Sequence, residues 1–213
     1  MRTSVFVQAM LAAGSLAVPL MSEAASTVST GTGALTASTS VQFQITIPQV
    51  LYLRVGTGSS YTTGVLTTTA PSATDNINFA PTAAQLSGAT VAGTGGDLTG
   101  GVETAAVIGN GGTVTLGAST PGAMNDGAGD TINWSQITTA SATNTTGTNL
   151  PAPVLANGAS TTLTLNASSK TVYEDAKWTY TYTIAAGSPP AAGTYGGATA
   201  AQNGTVTYTA AMP

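Results

Sequence analysis

No cysteine and no histidine occur anywhere in the chain. The first absence excludes a disulfide framework, thiolate metal sites and a cysteine nucleophile. The second removes the commonest general base and the commonest metal ligand. Charge is scarce as well: 6% of the 213 residues are charged, against roughly 25% in an ordinary soluble domain. The four basic residues, Arg2, Arg54, Lys170 and Lys177, are scattered. No basic stripe is therefore present to neutralise phosphates, and nucleic acid is excluded as a partner. What fills the chain instead is Thr, Ala, Gly and Ser, so the surface must consist largely of hydroxyls and amides. Low charge removes the repulsion that keeps many proteins apart. A subunit that packs against copies of itself has less need of it.

Residues 1–25 read as a secretory signal peptide: Arg2 supplies the positive start, an apolar stretch runs from about Val5 to Leu20, and small residues follow. Cleavage is expected after Ala24 or Ala25. That stretch is interrupted by Gln8, Gly14, Ser15 and Pro19 and is short for a bilayer span of about 20 residues. No later stretch could serve, so the mature chain has no membrane span and is expected in the periplasm or beyond. Loss of Arg2 and Glu23 with the signal leaves the formal charge at −4. Residues 26–39, small and light, read as a flexible extension, and 40–213 as a single domain.

Helical periodicity is hard to find after the signal, whereas period-two alternation recurs along the chain. Val41, Phe43, Ile45 and Ile47 alternate with Gln42, Gln44 and Thr46, predicting a strand that Pro48 ends. Val50 to Val55 is apolar on both faces and reads as a central, buried strand. Shorter candidates are Tyr61–Thr67, Asn76–Ala80, Thr113–Leu116, Thr131–Ile137 and Ser160–Leu165, bounded by turn-forming clusters. Near the C-terminus Trp178, Tyr180, Tyr182 and Ile184 alternate with threonines, and Val206, Tyr208 and Ala210 do so again. These two segments read as neighbouring antiparallel strands. The branched Cβ of Thr suits a pleated surface and its hydroxyl tolerates water. Together the pattern predicts an all-β fold, an antiparallel β-sandwich with a Thr-covered outside. The Gly-, Thr- and Ala-rich stretch from Gly88 to Asn149 reads as long loops and short strands.

Catalysis could rest only on acids: Asp75, Asp97, Glu103, Asp126, Asp130, Glu174 and Asp175. A glycosidase needs two carboxylates held across a sugar by rigid elements, and most of these lie in Gly-rich stretches, which favours solvated loop acids and no enzymatic role. Asn125-Asp126-Gly127-Ala128-Gly129-Asp130 looks like a loose calcium loop, but the spacing is not that of an EF-hand and no Glu closes it. Neither a metal nor another cofactor is expected. Trp134, Trp178, Tyr180 and Tyr182 could stack on sugars, yet their alternation favours core packing. Tyr195, before the last strand, reads as a corner tyrosine whose hydroxyl caps a loop of an immunoglobulin-like sandwich.

The signal, the small-residue mature N-terminus leading into Ser40-Val41-Gln42-Phe43-Gln44-Ile45-Thr46-Ile47, the Thr-rich strands and the ending Gly204-Thr205-Val206-Thr207-Tyr208-Thr209-Ala210 together resemble fimbrial, pilin-like subunits of Gram-negative bacteria. The chain differs from the best-known of these in lacking a Cys pair and a penultimate Tyr. The resemblance implies an immunoglobulin-like sandwich left incomplete, whose hydrophobic groove is filled by a strand from the next subunit, a form of β-augmentation. It implies a structural role in an extracellular or cell-surface filament supporting adhesion or biofilm. The partners it implies are copies of this chain or other filament subunits, with a periplasmic chaperone and an outer-membrane usher. The donor would be Val41, Phe43, Ile45 and Ile47, bulky enough to fill pockets, or the upstream segment with Val28, Leu35 and Ala37. The rival expectation is a monomeric secreted or surface-coat sandwich that binds glycans.

Overall fold

The computed structural model describes residues 26–58, 74–145, 148–167 and 169–213. The expected signal peptide and the expected strand Tyr61–Thr67 lie outside the described residues. The chain divides into two units, one ending at Ile47 and the other spanning Pro48–Pro213.

In the first unit, residues 26–47 form no strand. A bend at residues 31–33 turns the chain back far enough for the Thr27 hydroxyl to donate to the Ser38 carbonyl at 2.8 Å. The strand expected over Val41–Ile47 is therefore absent, because the alternating segment has no ladder partner among the described residues. Val41, Phe43, Ile45 and Ile47 are instead 72%, 90%, 84% and 75% exposed.

The second unit contains twelve described strands: β1 (Leu51–Val55), β2 (Ile77–Asn78), β3 (Thr90–Ala92), β4 (Thr94–Gly95), β5 (Val102–Gly109), β6 (Val114–Ser119), β7 (Met124–Asn125), β8 (Thr131–Ile132), β9 (Ile137–Thr143), β10 (Ser160–Leu165), β11 (Val172–Thr183) and β12 (Thr207–Ala211). Helix among the described residues is confined to three short 3-10 turns, Ala83–Ser87, Trp134–Gln136 and Ala200–Gln202. The expectation of an all-β chain built of antiparallel sheets holds, since every ladder between these strands is antiparallel.

The larger sheet is organised on β11. β5 pairs with it from Val172 to Thr179, and β3 continues along the same edge at Thr181–Thr183. β9 pairs along Ala176–Tyr182, and because Thr181 and Tyr182 have partners in both β3 and β9, β9 must occupy the opposite edge. β1 closes the sheet beyond β5. It is an edge strand and not the central one that its two apolar faces suggested. The smaller sheet has the order β10-β6-β12.

Alternation on the two sheets points one row of each strand inward. Glu103, Ala105 and Val107 of β5, Ala176, Trp178, Tyr180 and Tyr182 of β11, Val114, Leu116 and Ala118 of β6, and Leu165 of β10 are buried. Trp178 is fully buried, its ring centroid lies 5.3 Å from that of Tyr208 on β12, and its Nε1 donates to the Leu150 carbonyl at 2.9 Å. The Tyr180 and Tyr208 hydroxyls are 2.9 Å apart. β11 and β12 thus belong to different sheets and meet through their side chains, which corrects the expectation that they are ladder neighbours. Ala118 lies across the ladder from Tyr208. The stretch 88–149, expected as long loops and short strands, supplies β5, β6 and β9, of which β6 overlaps the expected Thr113–Leu116.

Candidate functional site

A cavity of about 440 Å³ opens in the second unit, within the usual range for ligand and peptide pockets. Val55 of β1, Phe79, Trp134, Tyr180 and Tyr208 give it apolar and aromatic walls, and Glu103 and Asp75 place two carboxyl groups on its lining. β1 and β12 run close to each other without forming a ladder, and β12 is paired only with β6 among the described residues. Its outer edge therefore carries backbone donors and acceptors with no strand partner among those residues.

Glu103 reaches the cavity because it stands in the inward phase of β5, two residues before Ala105 and four before Val107. It is 4% exposed and lies directly across the ladder from Trp178. Its Oε2 accepts the Asp97 backbone N–H at 3.3 Å. Burial pushes its carboxyl up to about 7; the Asp97 N–H opposes this, and the charges of Asp75 and Asp97 add to it. Asp97 is itself held by Arg54, whose Nη2 lies 3.1 Å from Oδ2, and by the Thr104 N–H at 2.8 Å. The Thr57 backbone and hydroxyl both donate to Asp75. Gly56, at φ +76°, lets the chain pass beneath these groups; a side chain there would collide with the carboxylates of Asp75 and Glu103.

The other acids are placed differently from one another. Asp175, also buried, accepts from Asn144 Nδ2 and from the Thr145 N–H and hydroxyl, and so ties the loop after β9 to β11. With Glu103 it corrects the expectation that the acids are solvated loop residues. The carboxylate of Asp126 does not form an open cation cradle: Oδ1 accepts the N–H groups of Ala128, Gly129 and Asp130 at 2.8, 3.1 and 3.1 Å, closing the hairpin between β7 and β8. These donors hold its carboxyl below the ordinary carboxylate range. No group of three or more metal-ligating side chains occurs among the described residues.

Core packing is the use made of Trp134, Trp178, Tyr180 and Tyr182, all of which are buried, although Trp134 and Tyr180 also line the cavity. The Tyr195 hydroxyl donates to the Ala191 carbonyl at 2.9 Å, the loop-capping contact expected of it. The structure places Val41, Phe43, Ile45 and Ile47 on an unpaired, exposed segment. Sequence reasoning missed the cavity and named Glu103 only as one of seven acids, without its burial. The available signal was the spacing Glu103, Ala105, Val107, which puts an acid in the same phase as core residues.

No described helix is long and apolar enough to cross a membrane. Comparison with family models, with curated proteins and with solved structures finds no match to this chain.

Proposed function

We propose that the chain is an exported structural subunit of an extracellular filament, and that Pro48–Pro213 is an immunoglobulin-like sandwich completed by a strand from another copy. The observation that carries this reading is the exposure of Val41, Phe43, Ile45 and Ile47 in one alternating row. Burying each such side chain contributes roughly 1.5–3 kcal/mol. A monomer leaves that stabilisation unused and exposes a seven-residue segment of high β-propensity. The unpaired edge of β12 and the apolar cavity supply the two things a donated strand requires, backbone partners and pockets for alternate side chains. Between the two donor segments, 41–47 is the better fit, because Val28 and Leu35 are separated by small residues and offer no regular row.

Phe43→Asp and Ile45→Asp test this in the full chain. Each is expected to abolish the filaments seen by negative-stain electron microscopy in material sheared from producing cells, while the secreted protein keeps its circular dichroism spectrum and its melting temperature as a monomer. Filaments that persist in both variants would overturn the reading.

A second reading rests on the aromatic lining beside Glu103 and Asp75, since aromatic faces with adjacent carboxyl groups suit a saccharide. It requires a wild-type monomer retained on immobilised glycan, with retention unaffected by Phe43→Asp.

A further inference from the structure

The cavity wall is not uniformly apolar, and its one deeply buried acid stands where the inward row of β5 would otherwise carry a residue like Val107. Among the described residues, the titratable groups that act on Glu103 are Asp75 from the segment before β2, Asp97 from the turn before β5, Tyr180 from β11 and Tyr208 from β12. The cation paired with this cluster, Arg54 of β1, is bound to Asp97 at 3.1 Å. The Tyr180 and Tyr208 hydroxyls are bonded to each other, and burial pushes both up, Tyr208 to about 12, so both stay protonated. Within this set the Asp97 backbone N–H, at 3.3 Å, favours an ionised Glu103, and burial together with the charges of Asp75 and Asp97 outweighs it. An apolar strand laid over the cavity excludes water.

We propose that Glu103 is a proton-operated gate on subunit assembly: the Val41–Ile47 segment of a second copy seats in this cavity only when the Glu103 carboxyl is neutral, so that each junction formed at alkaline pH takes up one proton. This rests on the strand-donation reading above and specifies how the same site is regulated. With the carboxyl already raised to about 7 in the open cavity, sealing raises it further. Association is then flat below about pH 7 and weakens about tenfold per pH unit above it, the slope of a single linked proton. The chain suits such a test because it contains no His and no Cys.

The mature chain and its Glu103→Gln variant are refolded from urea at intervals between pH 6 and 9, and the assembled fraction is read by sedimentation velocity. The wild type is expected to lose assembly steeply above pH 7, while the variant, neutral at every pH, assembles at pH 9 as it does at pH 6. Calorimetry of wild-type assembly in two buffers of different ionisation enthalpy measures the proton directly, without relying on the variant, and one proton per junction is expected at pH 8. Assembly with no pH dependence and no proton uptake, or the same alkaline loss in Glu103→Gln, overturns the gate and leaves the filament reading standing. If neither chain assembles at any pH, strand donation itself fails and the gate with it.

Discussion

An acid in the inward row of a strand affects the protein before any partner arrives. The Glu103 carboxyl titrates at about 7 in the folded chain, against an ordinary value of 4.5. Its folded value is raised, so its contribution to stability is fully present below about pH 4.5 and is lost as pH rises through 7. With solvent screening at the open cavity, the loss across that window is on the order of 1–3 kcal/mol, or roughly 2–12 °C in melting temperature. Burial raises Glu174 as well, with the same sign. Asp126 acts in the opposite direction: its carboxyl lies below its ordinary 3.8, so its contribution is held above that pH and lost as pH falls through the lowered value. Melting temperature followed by circular dichroism is therefore expected to peak near pH 4–5 and decline toward pH 7.5. Glu103→Gln should flatten most of the decline. An unchanged alkaline slope in that variant would show that the burial of this carboxyl does not limit stability.

At the level of elements, the hairpin joining β7 to β8 depends on one side-chain oxygen. Asp126 Oδ1 gathers three successive N–H groups that would otherwise be left to water. Asp126→Ala is expected to lower the melting temperature, and Asp126→Asn, which keeps an acceptor in the same place, to restore most of it; equal loss in both would assign the effect to charge and not to hydrogen bonding. The same contrast between side-chain chemistry and pattern explains which elements were legible. β10 coincides with the expected Ser160–Leu165 because Thr161, Leu163 and Leu165 alternate cleanly with polar residues. β12 was equally clear. β11 was recognised only from Trp178 onward, because Glu174, Asp175 and Lys177 interrupt the apolar run although β5 pairs with all three and β9 with Lys177. β5 was hidden by its inward Ala105 and Gly109, too small to register as a core row, and β6 was expected only over Thr113–Leu116, because Gly117 and Ala118 follow. Ala118 lies across the ladder from Tyr208, whose ring meets Trp178 of the other sheet, a relation between distant strands that no local pattern displays. The cavity was illegible as well, since its lining comes from nine separated stretches of chain.

For the whole molecule, sparse charge and an exposed apolar row point the same way. A net charge of −4 over 213 residues gives little mutual repulsion, so a segment such as Val41–Ile47 has nothing to hold copies apart. Removing residues 26–47 is expected to leave Pro48–Pro213 as a non-polymerising chain whose open cavity can be filled from outside. A synthetic Ser40–Pro48 peptide should then raise the melting temperature of that chain in a saturable, concentration-dependent manner at pH 6. At a hundred times its dissociation constant, binding to the folded state alone contributes about 2.7 kcal/mol, equivalent to roughly 5–10 °C for a domain of this size. The same peptide with Asp at the positions of Phe43 and Ile45 should have no effect. A wild-type peptide that leaves the melting temperature unchanged would mean that the exposed row serves a different surface, whereas stabilisation at pH 6 that fades by pH 9 would tie the row, the cavity and Glu103 into one device.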